Sequence, residues 1–368
     1  MVLQNHGDGG GGSAGRVIRM SWQENIRKCV PYTPGEQPFD TDMIKLNTNE
    51  NPYPPSPTVQ KTLASMKADT LRLYPDPKAG SLVHALAVHY RLKDSQVFVG
   101  VGSDDVLAMC FLTFFNSKKP ILFPDITYSF YDVWAELFRI PYVTVPLDQD
   151  FHIDPADYLQ ENGGIVFPNP NAPTGVKMPL ETIEEIVSAN PDSVVICDEA
   201  YVDFGTESAL ALTEQYGNLL IVQTFSKARN LAGLRVGYAM GNEALIRCMN
   251  DVKYSFNSYT MNRPALELGC AAIADDHYFA ECCNKIMRTR KTAEDQLKAL
   301  GFQFEDSDSN FLFVTHPNVK AKTIFDALRT KHIYVRWFDK PRIDNYLRIT
   351  IGTDEQMNRL YRELKEIV

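Results

Sequence analysis

From residue 81 onward the chain alternates between two rhythms. Segments with helical spacing at 81–92, 103–115 and 180–189 lie between short apolar runs at 97–101, 121–123, 142–145, 165–167, 194–197, 219–222 and 236–240. Most of these seven runs are apolar throughout rather than alternating. That is the pattern of strands buried on both faces, as in a mostly parallel sheet covered by helices, and it predicts an α/β fold. After about residue 250 the rhythm changes. A long helical stretch from 278 towards 300 is followed by strands at 311–314, 333–337 and 347–351, a helix at 321–330 and a terminal helix from 354. Three strands with flanking helices suit a smaller α+β domain. The division expected is a flexible glycine-rich leader at 1–20, an extended Pro- and Asn-rich arm at 21–60, a large domain at 61–255 and a small carboxy-terminal domain at 256–368. A cleft between the two domains is a common place for small-molecule chemistry.

Composition narrows the function classes. A length of 368 residues fits two domains. With 37 Lys+Arg against 46 Asp+Glu the net charge is −9, which leaves no electrostatic footprint for nucleic acid. No apolar run approaches the ~20 residues a membrane-crossing helix needs. Gly9 to Gly12 and Ser13 stand where a signal peptide would need an apolar segment. The seven cysteines are an odd count with no CxxC pair and no histidine at zinc spacing. They predict a reduced, cytoplasmic protein without a bound metal.

The chemistry gathers at the ends of the apolar runs. Thr224-Phe225-Ser226-Lys227 follows the run at 219–222, and Asp198-Glu199-Ala200-Tyr201 follows that at 194–197. Asn169-Pro170-Asn171-Ala172-Pro173-Thr174-Gly175 follows 165–167, and Arg235 lies between Gly233 and Gly237. Taken singly, these read as a lysine leaving a strand, a turn cap and a tight turn. Taken together, an Asp, a Lys 29 residues later and an Arg 8 beyond that meet a specific need. Pyridoxal 5′-phosphate (PLP) is held as a Schiff base by lysine, its ring nitrogen needs an anionic partner, and its phosphate needs cations and amide donors. The Lys227 amine would also move the substrate's α proton. Arg348, inside an apolar strand, would be costly without an anionic partner.

These motifs, in this order and spacing, resemble the fold-type-I PLP-dependent aminotransferases, and among them the histidinol-phosphate aminotransferases. The resemblance runs from Asn47-Thr48-Asn49-Glu50-Asn51-Pro52-Tyr53 to Leu347-Arg348-Ile349-Thr350. It implies an aspartate-aminotransferase-like large domain that binds PLP. Lys227 would be the Schiff-base lysine, Asp198 the partner of the ring nitrogen, and Tyr201 a donor to the cofactor's O3′. Tyr128 would stack on the ring. Gly102, Ser103 and Asp104 would receive the phosphate at a helix start, with Ser226, Arg235 and Thr224 completing the cradle. Tyr74 would reach the cofactor of a second subunit, which implies a homodimer with shared active sites. Arg348 would grip the acidic group of the substrate, with Arg336, Tyr32 and Asn49 as further contacts; Arg336 equally suits a strand residue stacked on Trp337. The asparagine that commonly precedes Pro-Thr-Gly is Ala172 here, so either Asn171 swings in to the cofactor's O3′ or Tyr201 holds it with less help.

The reaction implied carries an amino group from histidinol phosphate to 2-oxoglutarate, giving imidazole acetol phosphate and glutamate in histidine biosynthesis, by ping-pong half-reactions. A lyase resembling phosphothreonine decarboxylase, or an aminotransferase for aromatic or other amino acids, shares most of these motifs. A non-catalytic PLP-binding regulator would carry a basic DNA-binding module ahead of the domain. The glycine-rich leader and short arm are too small for one and not basic.

Overall fold

Each of the seven apolar runs has two faces to bury, and one sheet gives them both. In the computed structural model, which describes residues 21–38 and 42–368, the first strand lies in the arm, β1 (Ile44–Lys45). The large sheet follows with β2 (Val97–Gly100), β3 (Ile121–Pro124), β4 (Tyr142–Val145), β5 (Ile165–Pro168), β6 (Val195–Asp198), β7 (Leu219–Thr224) and β8 (Gly237–Gly241). Its order is β2-β8-β7-β6-β5-β3-β4, and only β8 runs antiparallel to its neighbours. Successive side chains point to opposite faces of a strand. Val195 and Cys197 thus enter one core while Ile196 enters the other, and Leu219 and Ile221 divide in the same way from Leu220 and Val222. With both faces covered, no polar alternation is needed, and the runs are apolar throughout.

The helices have identifiable starts. The Ser56 hydroxyl accepts from Val59 N at the head of α1 (Pro57–Ser65), with proline in its first turn. Next come α2 (Gly80–Tyr90), α3 (Ser103–Phe114), α4 (Tyr131–Phe138), α5 (Leu180–Ala189), α6 (Glu243–Phe256) and α7 (Arg263–Ile273). Leu266, Leu268 and Ile273 of α7 still pack into the first core of the large sheet. The long α8 (Asp276–Ala299) instead sends Ile286, Ala293 and Leu297 under a second sheet, so the chain changes cores between α7 and α8.

That second sheet has the order β11-β12-β9, all antiparallel, from β9 (Phe311–Val314), β11 (Arg336–Trp337) and β12 (Leu347–Thr350). The apolar run expected as one strand at 333–337 is two strands in different sheets. Its first half, β10 (Ile333–Tyr334), pairs parallel with β1, and Val335 turns the chain into β11. The helices α9 (Ala321–Thr330) and α10 (Asp354–Ile367) close the fold, the last with a Thr353/Gln356 capping box. All of these elements lie in the compact unit Tyr32–Val368; Ser21–Asn25, a short 3-10 turn, belongs to the unit that ends at Pro31. The leader expected at 1–20 lies outside the described residues. No helix among the described residues is long and apolar enough to cross a membrane.

Candidate active site

In sheets of this kind ligands gather at the carboxyl ends of the parallel strands. There β5 ends at Pro168, β6 at Asp198 and β7 at Thr224, three residues before Lys227. Because β8 is antiparallel, its start at Gly237 pairs with Thr224 and Gly100, which brings Arg235 to the same edge. These ends open into a cavity of about 440 Å3 that Lys227, Asp198, Tyr201, Ser226 and Arg235 all line, together with Arg336 and Arg348 from the second sheet. That size is ordinary for a small-molecule site.

Lys227 is half-buried; its Nζ donates to Thr48 O at 3.1 Å and stands 5.6 Å from the centre of the Tyr201 ring. Asp198 is buried, 4% exposed. Its Oδ2 accepts from Tyr131 Oη at 3.0 Å and its Oδ1 from Ala200 N at 3.2 Å. Burial pushes the carboxyl up to about 6, against the two hydrogen bonds and Lys227, which favour the ionised form. The neighbouring Glu199 points into the protein, where Ser208, Gln223 and Ala209 N donate to it, and burial raises it to about 7.

Tyr201 Oη accepts from Asn49 Nδ2 at 2.8 Å, and Asn49 is fixed in turn by Thr350 Oγ1 and Asn310 Nδ2. Asn171 is not brought to the cavity. Its Nδ2 donates to Ile126 O and Thr174 Oγ1, and its backbone N and O are tied to Val176 and Gly175, so the turn holds the side chain away. Ala172 lines the cavity in its place. Of the two arrangements expected around O3′, the one with Asn171 swung in is absent, and Asn49 takes up the Tyr201 hydroxyl.

The start of α3 is shaped for close approach. Gly102 has φ +85, and a Cβ there would lie 2.3 Å from Arg235 Nη2. Arg235 donates to Asp104 Oδ2 at 3.3 Å and to Ser226 Oγ at 3.4 Å, while Thr224 Oγ1 supports Ser226 from behind. Tyr128 Oη donates to Asp104 Oδ1 at 2.7 Å; burial first, then that carboxylate, holds the phenol well above its ordinary range.

Across the cavity Arg336 and Arg348 are direct cross-strand partners. Phe338 lies 5.4 and 5.6 Å from their guanidinium carbons. Arg348 Nη2 donates to Asn47 O at 2.9 Å, but its buried Nε has no partner among the described residues. Burial pulls its pKa down, and the Arg336 charge acts in the same direction. Two adjacent cations with a donor to spare are built for an anion. Tyr32 lines this side with its ring stacked on Phe130 at 4.2 Å. Tyr74 is outside the cavity, 80% exposed, with its ring against Tyr259.

Two residues of the site are not singled out by the sequence: Tyr131, the first residue of α4, and Glu50, which lies in the Asn47–Tyr53 motif without a role of its own. Glu50 pairs with Lys45 and accepts from Thr48 Oγ1 at 2.8 Å. Burial raises this carboxyl, but those partners and Lys227 outweigh it and leave it below its usual range.

The profile of the family described as aminotransferase class I and II matches residues 41–364. The chain belongs to that family. Among the relatives of this aminotransferase, histidinol-phosphate aminotransferase 1 of Hydrogenovibrio crunogenus is 54% identical over 94% of this chain and 98% of its own length. The histidinol-phosphate aminotransferase of Lactococcus lactis subsp. cremoris is 53% identical over the same shares. Among solved structures, the histidinol-phosphate aminotransferase of Sinorhizobium meliloti in complex with pyridoxal-5′-phosphate superposes with a TM-score of 0.81 at 25% identity, over 88% of this chain and 90% of that one. The aminotransferase is a PLP enzyme, and the cavity fits that group. An amine and a buried acid share its walls, and a cation lies against the helix start at Gly102, whose φ of +85 side chains rarely adopt.

Proposed function

We propose that this aminotransferase exchanges an amino group between histidinol phosphate and 2-oxoglutarate, in histidine biosynthesis, and that the residues assembled above carry the roles expected of them. When bound, PLP supplies an electron-withdrawing ring that stabilises the negative charge left at the substrate's α carbon. Asp198 would hold a proton on the ring nitrogen. Its pKa near 6 belongs to a carboxyl with no cation against it, and a pyridinium would supply the missing charge. Lys227 would hold the cofactor's aldehyde carbon, and its amine, once released, would take the α proton and return it. Because Tyr201 Oη already accepts from Asn49, its own proton is left to donate to O3′. Arg235, Ser226 and the first amides of α3, at Gly102, Ser103 and Asp104, would hold the phosphate.

The observation that carries the substrate reading is the pair Arg336–Arg348 on the wall facing Lys227 and Asp198. One pocket must grip a dicarboxylate in one half-reaction and a phosphate ester in the other, and two guanidinium groups suit both. The homodimer reading is supported by the exposed apolar side chains Leu71, Leu73, Tyr74 and Phe256, which a second copy would cover, delivering Tyr74 to that copy's cofactor. The cytoplasmic reading is supported by the seven cysteines, none of which is paired among the described residues.

The test is a panel of amino donors mixed with holoenzyme. Histidinol phosphate and glutamate should each bleach the cofactor's visible band, and 2-oxoglutarate should restore it. Phenylalanine, tyrosine and aspartate should be far slower. Bleaching by an aromatic donor but not by histidinol phosphate, or carbon dioxide released from phosphothreonine without an oxo-acid acceptor, would overturn the reading.

A further inference from the structure

Arg336 and Arg348 ride on one hairpin. They face each other across β11 and β12, and residues 338–346 join the two strands. Arg342, at the middle of that connection, stands six positions from each arginine and reaches across to the large sheet. Its Nη1 donates to Asp125 Oδ2 at 2.9 Å, and its Nη2 donates to Leu147 O at 2.9 Å and to Asp148 O at 2.6 Å. Asp125 directly follows β3, and Leu147 and Asp148 lie just beyond β4. Asp125 Oδ1 accepts from Leu147 N at 3.0 Å, so one side chain closes a ring of contacts over two strand ends. The next residue, Ile343, is buried in an apolar cluster that includes Ile126, Leu147 and Val176. Arg342 itself has φ +69, which residues other than glycine rarely take without compensating contacts.

The connection is braced well enough to pass this anchorage on. Ile343 N donates to Lys340 O, Tyr346 N donates to Ile343 O, and Trp337 Nε1 reaches over to Asp344 O at 2.7 Å. At its base Phe338 lines the active cavity, against both guanidinium groups. An ion pair as exposed as Arg342–Asp125, at 39 and 27%, adds little to global stability. What it does decide is where the hairpin stands. We propose that Arg342 is a positioning residue, whose clasp on Asp125, Leu147 and Asp148 sets the Arg336–Arg348 pair at its working distance from the wall that carries Lys227 and Asp198. The inference rests on the reading of that pair as the grip for substrate anions. A wall of the site displaced by even a fraction of an ångström loses its fit to a substrate held on the other wall.

Rapid mixing of holoenzyme with glutamate separates binding from chemistry. Arg342→Gln should raise the glutamate concentration that gives half the maximal bleaching rate about tenfold, while the maximal rate changes by less than about twofold. Asp125→Asn should move the same constant in the same direction. The double variant should be no worse than Arg342→Gln, because both changes cut one clasp. Hydroxylamine, which offers the arginines no anion, should discharge the visible band of every variant at the wild-type rate. An unchanged half-saturation in Arg342→Gln, additive losses in the double variant, or an equal slowing with hydroxylamine would each overturn the proposal. Arg348→Ala tells which premise has failed. If it too is saturated by glutamate like wild type, the arginine pair is not the anion grip; if it alone is weakened, the pair stands and the clasp falls.

Discussion

Asp198 sits in the protein interior with two hydrogen bonds and no cation in contact, and that fixes how it responds to pH. Its folded pKa, about 6, lies above the ordinary value of 3.8, so the protonated form is favoured by folding. The stability this gives the cofactor-free protein is complete below about pH 4 and is lost as pH rises through 6. Asp198→Asn, which cannot ionise, should make the cofactor-free protein more stable than wild type near pH 8, by up to roughly 3 kcal/mol, with the gap closing towards about pH 4.5. Urea unfolding at the two pH values measures it, and a gap of equal size at both would refute the assignment. Most of the candidate residues were legible in the sequence because they stand at the ends of apolar runs, where a polar side chain needs a reason. Lys227 and Asp198 are of this kind, and Arg348 stood out as a charge inside an apolar strand. Asn171 misled because the turn that contains it consumes its own amide, which only coordinates reveal. Asn49 does come to Tyr201, through contacts with Asn310 and Thr350 some 260 and 300 positions away, a pairing no local pattern encodes.

Elements carry the next level of constraint. The start of α3, the Arg235 side chain and β8 are packed so closely that glycine is required where they meet. Gly102→Ala would set a Cβ 2.3 Å from Arg235 Nη2 at a backbone angle that L residues rarely adopt. The strain itself should cost about 1–2 kcal/mol, and displacing Arg235 should weaken PLP binding to the cofactor-free protein at least tenfold. Fluorescence titration with PLP, beside a melting curve, distinguishes the two effects, and unchanged PLP affinity would contradict the cradle. The same close packing explains what could be read at this scale. The strands of the large sheet announced themselves because each is apolar on both faces. Helix α7 did not, since Ala265, Leu266, Leu268, Gly269, Ala271, Ala272 and Ile273 are all buried and leave almost no polar stripe to show a helical period. Helix α4 hid its period in aromatics, Tyr131, Trp134 and Phe138, which read equally well as strand. The split of 333–337 between two sheets depends on pairing with β1 and β12, and composition is silent about partners.

At the scale of the whole molecule, a single chain holds every proposed contact except Tyr74, which lies on an exposed apolar surface. If that tyrosine serves the neighbouring subunit, defects in Tyr74 and Lys227 should complement. Lys227→Ala and Tyr74→Ala homodimers should each be impaired. Mixed dimers should regain one working site, because the subunit that keeps Lys227 receives Tyr74 from its partner. Activity that stays at the sum of the two variants after subunit exchange would place Tyr74 outside the site. The arm makes a different demand. Leu46 O accepts from Thr350 N, Asn47 O from Arg348, and Asn49 from Asn310 and Thr350, so an early stretch of the polypeptide rests on some of its last residues. During translation Asp198 and Lys227 therefore leave the ribosome well before the supports that set Asn49 against Tyr201. A product released short of Thr350 would own the reactive groups yet lack the wall that aims them.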